Sequence, residues 1–374
     1  MYNDEQTLIR DTARAFAQDI LAPGAAARDR AKTVDPSVFS DMAELGFLGM
    51  TVPEEWDGVG ADYVSYALAL MEIAAADGAI STIMSVHNAP FNAILTRFGS
   101  DFQKEQVLRP AAKGEFIGAF ALTEANAGSD AAAIRTRAEK RGNRYVINGG
   151  KEFITSGRIG GWCILFATLD GTRKGITAFL TPTSVPGYEV AKVEEKLGQR
   201  CSDTCSLRFT DLEIPEEYRI GEEGQGYRIA LSSLEAGRIG IASQSVGMAQ
   251  AAFDAAVAYA RERTSMGKRL IEHQAVAFRL AELRTKLEAA RQLVLLAARM
   301  KDAGLPCLNE AAMAKLFASE TAEVVVSGAL QTFGGYGYMQ DFALERIYRD
   351  VRVCQIYEGT SDIQKIIISR QLDQ

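Results

Sequence analysis

The chain has 374 residues, 47% of them hydrophobic and 24% charged, which is ordinary for a globular protein of two or three domains. Its net charge of -7 and its pI of about 5.2 argue against nucleic acid or an anionic membrane surface as the main partner. No run of 18 or more apolar residues occurs and the N-terminus is polar and acidic, so the sequence predicts neither a membrane span nor a signal or transit peptide.

Residues 1–118 predict an N-terminal α-helical domain. Helical periodicity begins almost at the first residue, and alanine is frequent throughout the region. The segment "SYALALMEIAAADGAIS" carries a broad apolar face, which is typical of a helix packed in a core. Pro53, Pro90 and Pro110 are expected to punctuate the helices.

Residues 119–222 change character and predict a middle β domain. Short β-rich runs are separated there by Gly, Pro, Asn and Asp, namely "RYVINGGKEFITSG", "WCILFATL", "GITAFLTP" and "LRFTDLEIP". The "NGG" at 148–150 lies between two apolar runs, which predicts a hairpin turn. We therefore expect a small antiparallel sheet or barrel between two helical regions.

Residues 223–374 predict a C-terminal α-helical bundle. Between Gly267 and Gly304, apolar residues recur at alternating steps of four and three, at Val276, Leu280, Leu283, Leu287, Ala290, Val294 and Ala297. Such a heptad seam predicts packing in the core of a bundle, and it is long enough to support an oligomer interface as well. Neither a strand–GxGxxG–helix unit nor a Walker A sequence occurs, so a nucleotide cofactor would have to be held in another way.

The five cysteines are odd in number and widely scattered, which predicts reduced thiols and a cytoplasmic protein of bacterial type. Cys201 and Cys205 are four residues apart, a spacing that metal sites also use. The chain has only two histidines, however, and no second cysteine pair lies nearby. We therefore expect no metal site.

The stretch "CQIYEGTSDIQKI" at 354–366 leaves two interpretations open for Glu358. Ser361 and Gln364 have the spacing of a capping box and isoleucines follow at helical spacing, so a helix is expected to begin within 360–364. On these residues alone, Glu358 would be a solvated charge in the preceding loop. A second stretch, "FALTEANAGSD" at 120–130, ends an apolar run in small residues, which let backbone N–H groups approach a ring or a phosphate.

Together, ordered segments of the chain resemble the acyl-CoA dehydrogenase family, especially its short- and medium-chain members. The segments are "ELGFLGMTVPEEWDGVGAD", "FALTEANAGSD", "KEFITSG", "KLGQRCSDT", "GEEGQGYRIALSSLEAGRIGIASQSVGMAQ", "RERTSMGKRLIEHQ", "QTFGGYGYMQDFALERIYRD" and "IYEGTSDIQ". The resemblance covers essentially the whole chain. It implies a mostly α-helical fold with a central β domain, namely an N-terminal α domain, a β-barrel and a C-terminal four-helix bundle, assembled as a homotetramer.

The resemblance also implies an enzyme, a FAD-dependent acyl-CoA dehydrogenase of fatty acid β-oxidation. It would convert a short acyl-CoA, with branched and medium chains left open, to trans-2-enoyl-CoA by α-proton abstraction and β-hydride transfer to flavin N5. Electron transfer flavoprotein would accept the electrons. A flavin oxidase or monooxygenase on the same fold, and a non-catalytic acyl-CoA-binding relative, stay open as alternatives.

Glu358 matches the position of the family's catalytic base, which must lie in a site dry enough to raise its pKa. Some relatives carry the base elsewhere, just before the arginine of the stretch that matches "LEAGRIGIA". That position is Gly237 here, followed by Arg238, and Glu235 lies two residues too early to match it. Because the alternative position is vacant, the resemblance assigns the base to Glu358.

The binding residues are also assigned by resemblance. The flavin contacts are Phe120, Leu122, Thr123, Gly128, Ser129, Phe153, Ile154, Thr155, Arg263, Ser265, Gln274, Gln331, Thr332, Phe333, Gly334, Gly335, Thr360, Ser361 and Asp362. Of these, Gln274 and the segment 331–335 are assigned to the flavin of a neighbouring subunit. The acyl-CoA contacts are Ser129, Glu235, Arg238, Tyr357 and Gly359. The chain departs from many relatives at Phe153, Ala125 and Asp362, where those relatives carry Trp, Pro, and Glu or Gln.

Selectivity for the acyl chain is expected to come from the stretch "STIMSVHNAPFN" at 81–92. His87 lies in this stretch and would either limit the depth of the pocket or be structural. Relatives that decarboxylate a dicarboxyl substrate carry an arginine near the position of Ser81. Its absence here argues against a dicarboxyl substrate.

Overall fold

The structure is a computed structural model and describes residues 2–372. The α-helices of the N-terminal region are α1 (Asp4–Phe16), α2 (Ala22–Ala31), α3 (Pro36–Glu44), α4 (Tyr63–Ala76), α5 (Gly78–Val86), α6 (Ala93–Phe98), α7 (Asp101–Gln103) and α8 (Arg109–Ala112). Wider π-helical turns join some of them, at Ala17–Leu21, His87–Asn92 and Lys104–Leu108. Pro53 and Pro110 stand at the start of an element, whereas Pro90 lies inside the turn His87–Asn92, directly after a kink at Ala89.

Two aspartates set the start of α4 and α5, the most deeply buried helices of this region. The Asp62 side chain accepts a hydrogen bond from Ser65 N–H and begins α4. The Asp77 side chain accepts from Ala79 and Ile80 N–H, so it ends α4 and begins α5. As a result α5, together with the residues that follow it, lies against the long helix of the C-terminal region.

The strands of the middle region are β1 (Gly118–Ala121), β2 (Arg137–Arg141), β3 (Arg144–Thr155), β4 (Trp162–Thr168), β5 (Ile176–Pro182), β6 (Tyr188–Val193), β7 (Thr204–Pro215) and β8 (Arg219–Ile220). They pair in the order β6-β7-β3-β2-β4-β5-β8, and β1 adds to β4 in parallel. All other pairs are antiparallel except the short β2–β4 contact. The predicted small, mainly antiparallel sheet is confirmed.

The hairpin predicted at 148–150 is wrong. These residues lie inside the single strand β3, where the register against β7 shifts at Gly149, which has a φ of 148°. A β-carbon at Gly149 would lie 2.8 Å from Thr136 Cα, so glycine is required there by a close backbone approach and not by a turn. The actual turn between β2 and β3 contains Gly142, with a φ of 64°.

The C-terminal region contains α9 (Gly226–Glu262), a short ribbon of β9 (Thr264–Ser265) and β10 (Lys268–Arg269), α10 (Gln274–Asp302), α11 (Leu308–Phe333), α12 (Leu344–Val351) and α13 (Ser361–Ser369). The predicted seam on α10 is buried from Leu280 to Ala297 in one core with α9, α11 and α4. Gly247 lets α9 lie directly against the Met71 carbonyl of α4. The predicted fold, mostly helical with a central β domain, is confirmed; the boundaries at 118/119 and 222/223 stay predictions.

Within residues 2–372, no helix is long and apolar enough to cross a membrane. In the same part of the chain, no group of three or more His, Cys, Asp or Glu side chains has an arrangement that could hold a metal ion.

Candidate active site

A cavity of about 600 Å³ lies where the sheet meets both helical regions. Its walls come from segments far apart in the sequence: the end of α5, β1 and the loop after it, the end of β3, the first half of α9, and the residues around α13. The lining residues include Thr82, Val86, Pro90, Phe120, Leu122, Thr123, Gly128, Ser129, Phe153, Ile154, Thr155, Leu231, Leu234, Arg238, Ile241, Tyr357, Glu358 and Gly359. An apolar pocket with a few polar groups is the usual form of a site for a small molecule or cofactor.

Two acidic residues line this cavity, of which Asp130 is exposed and Glu358 has a buried carboxylate oxygen. Its Oε2 atom is buried, and within residues 2–372 it has no hydrogen-bond partner. Burial raises the pKa of Glu358 to about 7, while the positive charges of Arg238 and Lys315 act in the opposite direction. A carboxyl with this pKa gains and loses a proton readily near neutral pH, as a general base must.

The carboxylate of Glu358 lies directly over Gly237. A β-carbon added to Gly237 would lie 2.8 Å from Glu358 Oε2 and 3.0 Å from Cδ. The position that carries the base in some relatives and the position of Glu358 therefore face the same point in space. Because Gly237 has no side chain, the Glu358 carboxylate can occupy that point.

The backbone at Glu358 adopts an uncommon conformation. Glu358 has a φ of 55° and Gly359 a φ of 88°, so two successive residues are left-handed. Gln364 Nε2 donates to the carbonyl oxygens of Glu358, at 3.1 Å, and Gly359, at 2.9 Å. Lys315 Nζ donates to the same Gly359 oxygen at 2.7 Å. These contacts hold the side chain of Glu358 toward the cavity.

The same contacts correct the predicted cap of the last helix. The helix begins at Ser361, but its cap is Thr360, whose side chain accepts from Ile363 N–H at 3.3 Å. The predicted capping box of Ser361 and Gln364 does not form, because the Gln364 amide is already bonded to the carbonyls before the helix.

Tyr357 is fixed by buried amides that the sequence did not reveal. Its hydroxyl donates to Gln244 Oε1 and accepts from Gln199 Nε2 at 3.1 Å. Thr82 donates to Gln199 Oε1 and accepts from Gln244 Nε2, which closes the network beneath the cavity. The network joins residues from α5, α9 and the loop before β7, so sequence spacing alone could not indicate it.

The cavity wall contributed by the sheet fits a flavin ring. Phe153 is 66% exposed and has a φ of 61°, whereas the next residue, Ile154, is 2% exposed. An exposed aromatic face beside Leu122 and the hydroxyl groups of Thr123 and Thr155 supplies the flat apolar surface and the polar groups that such a ring requires.

A buried lysine clamps the loop after β1. Lys151 is fully buried, and its Nζ donates to Leu122 O at 2.9 Å and to Glu124 Oε1 at 2.7 Å. The Glu124 carboxylate also accepts from the backbone of Arg135, at 2.6 Å, and Thr136, at 3.0 Å. Burial lowers the pKa of Lys151 to about 8, and Glu124 opposes that shift. This pair therefore fixes the loop that contains the predicted flavin contacts.

We expect Lys151→Met to weaken FAD binding about tenfold, because breaking a buried ion pair leaves the Glu124 carboxylate unpaired and releases the loop. The dissociation constant is measured by reconstituting the apoprotein with FAD. Lys140→Met is the matched control, since Lys140 lies on the neighbouring strand with an exposed side chain paired to Glu216 at 2.7 Å. Equal FAD affinity in the wild type and both variants would contradict the role of the clamp.

Other predicted residues do not line the cavity. Arg263, Ser265, Gln274, Gln331, Gly334 and Gly335 are exposed around the far ends of α9, α10 and α11, whereas Thr332 and Phe333 are buried there. The Arg263 guanidinium lies 5.8 Å from the centre of the Tyr336 ring. The β9–β10 ribbon therefore lies next to the residues that follow α11. The structure therefore separates these predicted flavin contacts from the group that lines the cavity.

The remaining predicted residues lie close to the cavity, but their side chains do not line it. Glu235 contacts Lys301 Nζ at 3.3 Å and Cys307 Sγ at 2.9 Å. Thr360, Ser361 and Asp362 form the start of α13, and the Asp362 side chain is exposed.

His87 turns away from the cavity. Its Nδ1 accepts from Gly118 N–H at 2.9 Å, and its Nε2 lies 3.0 Å from Ala111 O. Burial lowers the pKa of His87 to about 4, so the ring is neutral. Of the two interpretations for His87, these contacts favour the structural one.

The fold and this cavity suit a flavin-dependent enzyme, and comparison with known proteins identifies the family. Residues 3–115, 119–212 and 224–372 match, in turn, the family profiles of the acyl-CoA dehydrogenase N-terminal, middle and C-terminal domains. The short-chain specific mitochondrial acyl-CoA dehydrogenase of Mus musculus is 45% identical over 98% of this chain and 89% of that protein.

Solved structures agree with the sequence comparison. Butyryl-CoA dehydrogenase from Megasphaera elsdenii is 38% identical, with a TM-score of 0.98 over 100% of this chain and 99% of that one. A chain in the structure described for the electron transferring flavoprotein of Acidaminococcus fermentans is 41% identical, with a TM-score of 0.98 over 100% of this chain and 98% of that chain.

The chain belongs to the acyl-CoA dehydrogenase family. It is an oxidoreductase that acts on CH–CH donors with FAD as cofactor, and short-chain acyl-CoA dehydrogenases are among its relatives.

Proposed function

We propose that the protein dehydrogenates a short acyl-CoA thioester between its α and β carbons, with Glu358 as the base that removes the α proton. The observation that carries the proposal is the buried Oε2 atom of Glu358, which lacks a hydrogen-bond partner within residues 2–372 and lies in the wall of the cavity. Its pKa of about 7 supports the same role. FAD, when bound, supplies the acceptor for the β hydride.

The chain's own residues would prepare the substrate for this step. The backbone N–H of Glu358 and the adjoining Gly359 would contact the thioester carbonyl, which polarises the α carbon. Apolar side chains of Leu231, Leu234 and Ile241 would exclude water around the base. Arg238, 4% exposed in the same wall, would offset the negative charge of the carboxylate before proton transfer.

A short acyl chain is proposed from the floor of the cavity. Thr82 and Val86 of α5 line it together with Pro90 from the turn after α5, and Tyr357 is fixed beneath it by the amides of Gln199 and Gln244. A floor held by a buried hydrogen-bond network resists the displacement that a longer chain would require. The short-chain specificity of the relatives points in the same direction.

The predicted contacts that lie outside the cavity support an assembly proposal. They are Arg263, Ser265, Gln274 and the segment 331–335, of which Thr332 and Phe333 are buried and the others exposed. We propose that these residues contact the FAD of a neighbouring subunit in a homotetramer, because an arginine fork suits a diphosphate and none of them lines the cavity of its own chain. An electron transfer flavoprotein is proposed as the electron acceptor, and the likeness to a chain in the Acidaminococcus structure supports it. A cytoplasmic location and domains at 1–118, 119–222 and 223–374 complete the proposal.

We expect the purified yellow protein to be reduced fastest by butyryl-CoA in an anaerobic series of acyl chain lengths. Octanoyl-CoA should react at least about tenfold more slowly, because even one methylene that the pocket cannot accommodate costs about 1–3 kcal/mol. Stopped-flow absorbance of the flavin measures the rates. No reduction by any acyl-CoA would favour the non-catalytic relative, whereas rapid turnover with oxygen and none with electron transfer flavoprotein would favour the oxidase.

A further inference from the structure

The charged side chain of Lys315 lies beside the site, and the proposed function gives it no role. Lys315 is on the buried face of α11, surrounded along the helix by the buried residues Ala311, Ala312, Ala314 and Ala318, and it is fully buried itself. Lysine is rarely fully buried unless it is paired. Within residues 2–372, Lys315 forms no salt bridge with a carboxylate, and its ammonium group instead donates to a backbone carbonyl, that of Gly359.

The contact at Gly359 places Lys315 next to the catalytic backbone. The distance from Lys315 Nζ to Gly359 O is 2.7 Å, and Gln364 Nε2 donates to the same oxygen at 2.9 Å. One side chain from α11 and one from α13 therefore donate hydrogen bonds to the same carbonyl oxygen. This oxygen belongs to the residue after Glu358, whose left-handed φ of 55° must be held in place by its surroundings.

Lys315 also acts on the Glu358 carboxylate through its charge. The charged groups that face this carboxylate are Arg238 from α9 and Lys315 from α11. Tyr66 from α4, and Tyr357 and Cys354 from the segment of Glu358 itself, are neutral near pH 7 because burial raises the pKa of each. Burial lowers the pKa of Lys315 to about 8, so most of its ammonium groups are still protonated at neutral pH.

We propose that Lys315 is a positioning residue that acts through Glu358: its hydrogen bond to Gly359 fixes the backbone of the base, and its positive charge keeps the Glu358 carboxylate ionised near neutral pH. The inference rests on the proposed function of Glu358. Methionine at 315 would fill the same apolar space without the charge, so Lys315→Met is expected to fold and to bind FAD.

The pH dependence of flavin reduction by butyryl-CoA tests the charge. Only ionised Glu358 removes a proton, so the rate rises with pH through the pKa of Glu358, near 7 in the wild type. Removing a positive charge raises that pKa, and we expect the profile of Lys315→Met to move upward by about one pH unit. The variant should react about tenfold more slowly than the wild type below pH 7. Above pH 9, where Lys315 is neutral anyway, only the smaller, pH-independent loss caused by the missing hydrogen bond to Gly359 should remain.

Matched variants separate charge from geometry. Gln364→Leu removes hydrogen bonds to the same carbonyls without changing a charge, so its rate should fall by the same factor at every pH. Lys315→Arg retains the charge and should restore the wild-type midpoint. A Lys315→Met profile with the wild-type midpoint, or Lys315→Arg with the midpoint of Lys315→Met, would overturn the inference.

A second readout does not depend on turnover. Infrared pH-difference spectra of the FAD-loaded protein without substrate contain a carboxyl band of Glu358, identified by its absence in Glu358→Gln. The midpoint of this band should rise by about one pH unit in Lys315→Met. An unchanged midpoint overturns the role of Lys315 even if no acyl-CoA reduces the flavin. Absence of reduction in the wild type, by contrast, overturns the proposed function and leaves the infrared result standing.

Discussion

Glu358→Gln is expected to lose flavin reduction by butyryl-CoA by about 10⁴-fold while it keeps FAD and the oligomer. An amide cannot accept the α proton, and general base catalysis contributes up to about that factor. Glutamine has nearly the same shape as a protonated glutamate, and the buried Oε2 atom has no partner within residues 2–372 that the change would break. The fold should therefore tolerate the substitution.

The loss is measured by anaerobic stopped-flow absorbance, and retained binding by the change in the flavin spectrum when acyl-CoA is added. Glu139→Gln is the matched control, because Glu139 lies on the exposed side of β2 with 67% of its side chain accessible. That variant should reduce its flavin at the wild-type rate. Rapid reduction in Glu358→Gln would move the base to another residue.

Gly237→Ala is expected to slow flavin reduction about 100-fold without loss of FAD. The new β-carbon would lie 2.8 Å from Glu358 Oε2, closer than such atoms approach, and 3.1 Å from Oε1, which is a tight contact. The carboxylate must then shift, and a displacement of about 1 Å from the reactive geometry can cost two orders of magnitude in rate.

A double-mutant cycle isolates the cause of this loss. If alanine at 237 acts only by moving the carboxylate, it should add nothing when Glu358 has already been changed to glutamine. Reduction rates of Gly237→Ala, Glu358→Gln and the combined variant are compared with the wild type. A wild-type rate for Gly237→Ala alone, or a full further loss in the combined variant, would contradict the steric explanation.

Sequence patterns predicted the parts of the fold that depend on local periodicity. The seam on α10 and the β-rich middle region follow from spacing alone, and both are present. The predicted hairpin at 148–150 failed because the glycines there serve a bulge pressed against Thr136, a contact between strands that the local sequence does not reveal. The capping box failed for a similar reason, since Gln364 is taken up by the carbonyls of Glu358 and Gly359.

The site residues that belong to a sequence motif could be predicted, whereas those that depend on tertiary contacts could not. Resemblance pointed to Glu358 and to the vacant position at Gly237, and the structure adds that the two face each other. Lys151 and Lys315 look like ordinary charged residues in sequence. Their burial depends on partners 27 and 44 residues away, at Glu124 and Gly359, so no local pattern could single them out.

The central claim is that this chain removes an α proton with Glu358 and passes two electrons to FAD. The most direct measurement is an anaerobic titration of the wild-type protein with butyryl-CoA, in which flavin absorbance and the formation of crotonyl-CoA are followed together. We predict that the flavin bleaches and that one crotonyl-CoA forms for each flavin reduced. A flavin that stays oxidised, or that bleaches without crotonyl-CoA, would contradict the account.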